Sequence, residues 1–160
     1  MRISFELDGT LFVSDQDQAE PAMLNFVERE KVSLSRKGTK LLITTLANRG
    51  WEIWIYTNSL RSRTSLWTWA HHLGLPVKDV INQQIHENKC AELGQILMQV
   101  PSKMPPWFEI DLHVDDSEAI AETSRNHGFE VCLIKEDDPK WVDKVLAHAD
   151  SVAARKSRCP

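Results

Sequence analysis

The sequence is short of cysteine: it has three in 160 residues, an odd number, and no two stand at a C-x-x-C or other metal-ligand spacing. That argues against a disulfide scaffold and makes a reducing, cytoplasmic setting the expectation. Long apolar runs are also missing, and none approaches the roughly 18–20 residues that cross a bilayer, so no membrane partner is expected. The opening stretch Met1-Arg2-Ile3-Ser4-Phe5-Glu6 meets a carboxylate too early to read as a secretory signal. Six glycines and seven prolines are too few for a collagen-like or low-complexity chain, and no Gly/Ser- or Pro-rich linker divides it. Positive charge is not in excess. The net charge is −4, so bulk charge gives no reason to expect nucleic acid.

What is present reads as one globular domain: 42% of residues are hydrophobic and 26% charged. The length suffices to bury a core but not to build two full domains. The domain is expected over 1–150, with a short helical insertion around 12–36 and a flexible tail over 151–160.

Strand-like and helix-like segments alternate. Ile3 to Leu7 reads as a strand stopped by Asp8-Gly9-Thr10. Residues 19–32 read as a helix, with Pro21 in the first turn and Met23, Phe26 and Val27 on one side. Residues 33–38 read as a polar break. A helix then carries Leu42, Ile43, Leu46 and Ala47, with Gly50 past its end. Trp51 to Tyr56 is β-branched and aromatic, hence a buried strand. Leu66, Trp69, Ala70 and Leu73 mark another helix, and Asp79 to Asn82 a short strand. Leu93, Ile96, Leu97 and Val100 predict a helix from near Asn88 to Pro101. Ile110 to Val114 reads as a strand, 117–127 as a helix closed by Gly128, and Phe129 to Ile134 as the last strand. Asp138 and Pro139 then start a final helix carrying Trp141, Val142, Val145, Leu146 and Ala149. Such alternation predicts an α/β sandwich around a mostly parallel sheet.

In an open parallel sheet, ligands bind at the carboxyl ends of the strands. The polar residues expected there are Glu6, Asp8, Gly9 and Thr10 after the first strand, and Thr57, Asn58 and Ser59 after the second. Asp115, Asp116 and Ser117 follow the fourth, and Lys89 opens the helix after the third. Clustered carboxylates repel one another unless a cation or shared proton relieves them. Oxygen-only ligands favour Mg2+, which keeps waters and bridges to a substrate phosphate. Thr57 and Ser59 stand where a helix N-terminus offers free N–H groups to an anion. Lys89 supplies positive charge. Asp8-Gly9-Thr10 alone is also a tight-turn signal, and Asp116-Ser117 is also a helix cap. Arg61 and Arg63 read mainly as solvated, His113 as a core histidine, and Trp67 as surface, dimer contact or site wall.

This set, in this order, resembles the haloacid dehalogenase-like (HAD) superfamily. Phe5-Glu6-Leu7-Asp8-Gly9-Thr10-Leu11 matches the first motif and Trp54-Ile55-Tyr56-Thr57-Asn58 the second. Lys89 fits the third, and His113-Val114-Asp115-Asp116-Ser117 the fourth. The resemblance implies a Rossmann-like three-layer sandwich with a five-stranded, mostly parallel sheet of order 5-4-1-2-3. It also implies a Mg2+-dependent phosphohydrolase acting on a phosphorylated substrate, with an oligomer left open. The first-motif carboxylate would attack phosphorus, and Asp8 would act as acid and then base. Gly9, Thr10, Thr57, Asn58 and Lys89 would surround the phosphoryl group. Glu6, Asp8, Asp115 and Asp116 would hold Mg2+, Asp8 through its backbone carbonyl. Lys89 is preferred to Lys103 because it leaves room for a helix and a return before Asp115.

The departure is Glu6, where the superfamily has aspartate. One extra methylene displaces the attacking oxygen by about an ångström, and that can cost about 10²-fold in rate. The alternative is a non-catalytic HAD-like domain that binds Mg2+ and a phosphorylated ligand or protein. A receiver domain is a poorer match, because the acid pair here follows Thr57 and Lys89. No large cap domain fits between the second motif and Lys89, so the resemblance implies an open site.

Overall fold

The computed structural model describes residues 1–20, 25–28 and 31–158. Five strands form the main sheet: β1 (Arg2–Phe5), β5 (Glu52–Tyr56), β6 (Val77–Ile81), β7 (Leu112–Asp115) and β8 (Val131–Leu133). Their spatial order is β6-β5-β1-β7-β8, and every pairing is parallel. Counted among themselves, these strands read 5-4-1-2-3 from the β8 edge. The numbering differs only because three further strands, β2 (Phe12–Val13), β3 (Phe26–Glu28) and β4 (Lys31–Ser35), stand between β1 and β5 in the chain. The helices are α1 (Thr39–Asn48), α2 (Arg63–His72), α3 (Gln83–Glu92), α4 (Glu118–His127) and α5 (Trp141–Lys156).

A central strand of a parallel sheet is covered on both faces, and β1 shows it: Ile3, Ser4 and Phe5 are all fully buried. The buried hydroxyl of Ser4 is satisfied by its register partner on β7, His113, at 2.8 Å. Leu42, Ile43 and Leu46 of α1 and Val145, Ala149 and Val152 of α5 join the same core. Apart from Val152, their helical spacing is the stripe legible in the sequence.

Four expectations are corrected. The stretch 19–32 is not one helix. Pro21 and Met23 lie outside the described residues, but Phe26–Glu28 and Lys31–Ser35 are strands. They build a small antiparallel sheet of order β2-β4-β3. Long-range packing decides this: Phe26 stacks on Phe12 (5.7 Å) and meets Trp69 of α2 edge-on (6.3 Å). The supposed polar break hides a strand because its inward residues, Ser33 and Ser35, are serines, whereas Val32 is exposed. Third, α3 starts at Gln83 with Asn82 as N-cap, its side chain accepting from the Ile85 N–H at 3.1 Å, and ends before Gly94. Leu93, Ile96 and Leu97 are exposed rather than a helical core stripe. Fourth, α5 begins at Trp141 and runs to Lys156, so 151–156 is helix rather than frayed tail. Cys159 lies outside the described residues, and Cys90 and Cys132 are buried free thiols. Among the described residues no helix is long and apolar enough to cross a membrane.

Arg36, just past β4, ties the small sheet to the main body. It is buried, its guanidinium lies 4.5 Å from the Trp141 ring, and it donates to the carbonyls of Lys135 (2.7 Å) and Asp138 (3.2 Å). Arg36→Met keeps much of the volume but takes the buried guanidinium donor from both carbonyls. It should cost about 2–4 kcal/mol of unfolding free energy, read from urea melts. A loss below about 0.5 kcal/mol would show that this tie is not structural.

Candidate functional site

Strand order reverses around β1, so the chain ends of β5, β1 and β7 open on one crevice. Glu6 follows β1 and keeps its ladder bond to the Val114 carbonyl at 2.9 Å. Thr57 follows β5 in the same way, bonded to the Ile81 carbonyl. Asp115 ends β7. A cleft of about 420 Å³ lies over these ends, lined by Glu6, Asp8, Thr57, Lys103, Asp115 and Asp116, with Asn58 and Ser59 beside them. A hollow of about 460 Å³ between β3 and α2 is larger, but no convergent charges line it. The convergent charges lie in the cleft.

At the floor of the cleft stands Lys103. Its side chain is 2% exposed, and its ammonium contacts Glu6 Oε2 and Asp115 Oδ2 at once. Glu6 Oε1 folds back to accept the Leu7 N–H at 2.8 Å. Asp115 Oδ1 accepts the Ser117 N–H at 2.8 Å, so Asp115 caps the entry to α4, while the Ser117 side chain makes no cap bond. Asp115 Oδ2 also takes the Nε2–H of His113 at 2.9 Å, and His113 Nδ1 accepts from Ser4. Ser4, His113, Asp115, Lys103 and Glu6 thus form one buried chain.

The charges follow from this chain. Burial pushes the His113 imidazole below its usual pKa, which keeps the ring neutral, with its proton on Nε2 facing the carboxylate. Burial by itself would raise the Asp115 carboxyl, but the His113 hydrogen bond and the Lys103 charge outweigh it and hold it well below the usual range. Asp116 moves the other way, raised by burial and by the neighbouring Asp115 charge. It lies over Gly9, where an added Cβ would come within 2.2 Å of an Asp116 carboxylate oxygen. Gly9 also has a φ of 75°, in the left-handed region. Gly9 therefore shapes the floor without itself lining the cleft.

Not every expected residue arrives. Lys89 sits on α3, a third exposed, paired with Glu92 at 3.2 Å, and does not line the cleft. The ammonium among the carboxylates is that of Lys103. The sequence carried one signal for it: Pro101, Pro105 and Pro106 hold the segment out of a helix just before β7. A lysine there enters the crevice end-on, whereas one inside α3 is on a solvated face. Thr10 is fully buried, with its hydroxyl unpartnered, and does not line the cleft either. Thr57 does line it, and its Oγ1 accepts the Ser59 N–H at 3.1 Å.

Asp8 lines the rim, and both its carboxylate oxygens accept from Arg61, at 2.6 and 2.7 Å. Arg61 is also within 6.0 Å of the Phe12 and Phe26 rings, and its carbonyl takes the Asn82 side-chain N–H at 3.0 Å. Read from sequence as mainly solvated, Arg61 instead joins the cleft to the small sheet. Trp67 is half-exposed and stacks on His71 at 5.3 Å.

Among the described residues, no three acidic, histidine or cysteine side chains form a ready-made metal cluster. Two carboxylates do converge, Glu6 and Asp115, and they meet on one cation. Mg2+ commonly uses only one or two carboxylates, with water and substrate phosphate completing its shell. The hard oxygen donors therefore fit it.

No family model and no curated protein matches the chain. Similar solved structures include a hypothetical protein of Xanthomonas campestris, 20% identical, spanning 99% of this chain and 87% of that one with a TM-score of 0.42. Another, from Vibrio cholerae, is assigned as a 3-deoxy-D-manno-octulosonate 8-phosphate phosphatase. It is 16% identical over 89% of this chain and 79% of its own, with a TM-score of 0.45. The HAD domain of an effector protein of Legionella pneumophila, solved as an inactive mutant, is 12% identical and matches over 97% of each chain, with a TM-score of 0.49. At these identities the likeness is one of fold.

The two lysines separate cleanly in stability. Lys103→Met leaves two buried carboxylates facing each other and should cost about 3–5 kcal/mol. Lys89→Ala removes an exposed pair and should stay within about 0.5 kcal/mol. Urea melts of both variants measure this, and an equal effect would contradict the placement of Lys103.

Proposed function

We propose that this HAD-like α/β domain is a phosphohydrolase that transfers the phosphoryl group of a phosphomonoester to Glu6 and then to water. The observation that carries the reading is the Lys103 ammonium held between Glu6 and Asp115 at the switch point, under a cleft rimmed by Asp8 and Thr57. Lys103, rather than Lys89, has the role of offsetting phosphate charge. The phosphorylated substrate is a small molecule or a phosphorylated protein, with neither nucleic acid nor membrane involved, and the setting is cytoplasmic.

In this reading a Glu6 carboxylate oxygen attacks phosphorus, the ester P–O bond breaks, and the leaving oxygen takes a proton from Asp8. Asp8 then removes a proton from water as that water attacks the phosphoryl-Glu6, releasing phosphate and restoring the carboxylate. Thr57 and Lys103 face the phosphoryl oxygens. Asp8 must give up an Arg61 hydrogen bond to carry out either transfer. Mg2+ held by Glu6 and Asp115, with the Asp8 carbonyl and Asp116 alongside, would neutralise charge on the transferring group.

A second reading keeps the site for binding alone. The double Arg61–Asp8 pair favours it, since it occupies the proton-transfer group.

Glu6→Asp separates the two readings. A correction of about an ångström in attack geometry is worth up to about 10²-fold. With Mg2+ present, Glu6→Asp should hydrolyse an aryl phosphate faster than wild type, and adding Asp8→Asn should remove the gain. If wild type is already faster than Glu6→Asp, the site is built around glutamate and the geometric argument fails. If neither protein turns over although both fold and bind phosphate, the binding reading stands instead.

A further inference from the structure

The cleft has a side chamber. A hollow of about 310 Å³ opens beside it, and Asn58 and Ser102 line both spaces. One wall of the chamber is Leu97, Val100 and Pro101, from the loop that leads to Lys103. The other is Gln83, His86 and Glu87 from the start of α3.

His86 is 97% buried, and its ring is fixed by its neighbours. The Met104 N–H donates to the Tyr56 oxygen at 2.9 Å, which leaves the Tyr56 hydroxyl proton to point at His86 Nδ1, 2.6 Å away. Nδ1 therefore accepts, and the proton of the neutral ring is on Nε2. Burial, which lowers the imidazole's pKa, keeps the ring neutral. The Pro101 backbone favours the proton on the ring. Trp107 stacks flat on the ring at 5.3 Å and fixes its orientation. A neutral ring held in this way gives the chamber a rigid, uncharged wall.

Resting on the phosphohydrolase reading, we propose that this chamber receives the leaving group of the phosphomonoester, an uncharged, ring-sized body. Size supports this, because a cavity of about 150 Å³ already holds benzene. The chamber therefore has room for a substituted ring. Leu97, Val100 and Pro101 give that ring an apolar wall. Glu87, its carboxylate accepting from Gln83 at 2.7 Å, turns away a second anionic group. The shared residues Asn58 and Ser102 mark where the ester oxygen would cross from cleft to chamber.

Calorimetry with three non-hydrolysable probes tests this on the intact protein with Mg2+. Phenylphosphonate should bind at least tenfold tighter than methylphosphonate, and a ring bearing a carboxylate should lose that advantage. Leu97 is half-exposed, so Leu97→Trp fills the chamber with little risk to folding, and it should bind phenyl- and methylphosphonate alike. If methylphosphonate binds but the aryl advantage is missing or survives Leu97→Trp, the chamber proposal is overturned while the phosphohydrolase reading stands. If no phosphonate binds, that reading falls, and the chamber proposal with it.

Discussion

A single buried ammonium governs this structure. Glu6 and Asp115 end neighbouring parallel strands, and the register of β1 with β7 forces them together at the floor of the crevice. Without a counter-charge the two carboxylates would repel in a medium that screens poorly. Lys103 supplies that charge from a loop between two prolines, and its reach fixes the course of the chain from α3 to β7. His113 and Ser4 extend the same hydrogen-bonded chain into the sheet. Because breaking one member of such a network strands the others, fold and site are coupled here through one side chain.

A second coupling runs along the rim. Arg61 grips Asp8 with two hydrogen bonds while lying against Phe12 and Phe26 of the small sheet. Its carbonyl is held by Asn82, the cap of α3. The rim carboxylate, the small sheet and the start of α3 are thereby tied to one arginine, through its guanidinium on one side and its carbonyl on the other.

The main sheet was legible in the sequence because its signals are local. The strand signal at Ile3 to Phe5, the β-branched and aromatic run Ile53 to Tyr56, the αL glycine after α4 and the amphipathic stripe of α1 each point one way. The sheet order came from the resemblance to HAD proteins rather than from any spacing. The small sheet was not legible. Ser33 and Ser35 turn inward where the period-2 pattern expects apolar side chains, and only the distant Trp69 and Phe12 make that face a core. The apolar run Leu93 to Val100 misled in the opposite way, mimicking a helical stripe although its side chains are mostly exposed. At the site, Glu6, Thr57 and Asp115 were visible because they sit at strand ends. Lys103 was passed over because a loop lysine carries no periodic signal, and Arg61 because its partners are far away in sequence.

The proposed phosphoryl transfer runs through Glu6, with Lys103 as its fixed cation. A crystal structure with Mg2+ and beryllium fluoride, a mimic of a phosphorylated carboxylate, tests it best. The fluoroberyllate should sit on a Glu6 oxygen, with Lys103 Nζ and the Thr57 hydroxyl on its fluorides and Mg2+ against Asp115. An anion bound elsewhere, with the Glu6–Lys103–Asp115 chain undisturbed, would contradict it.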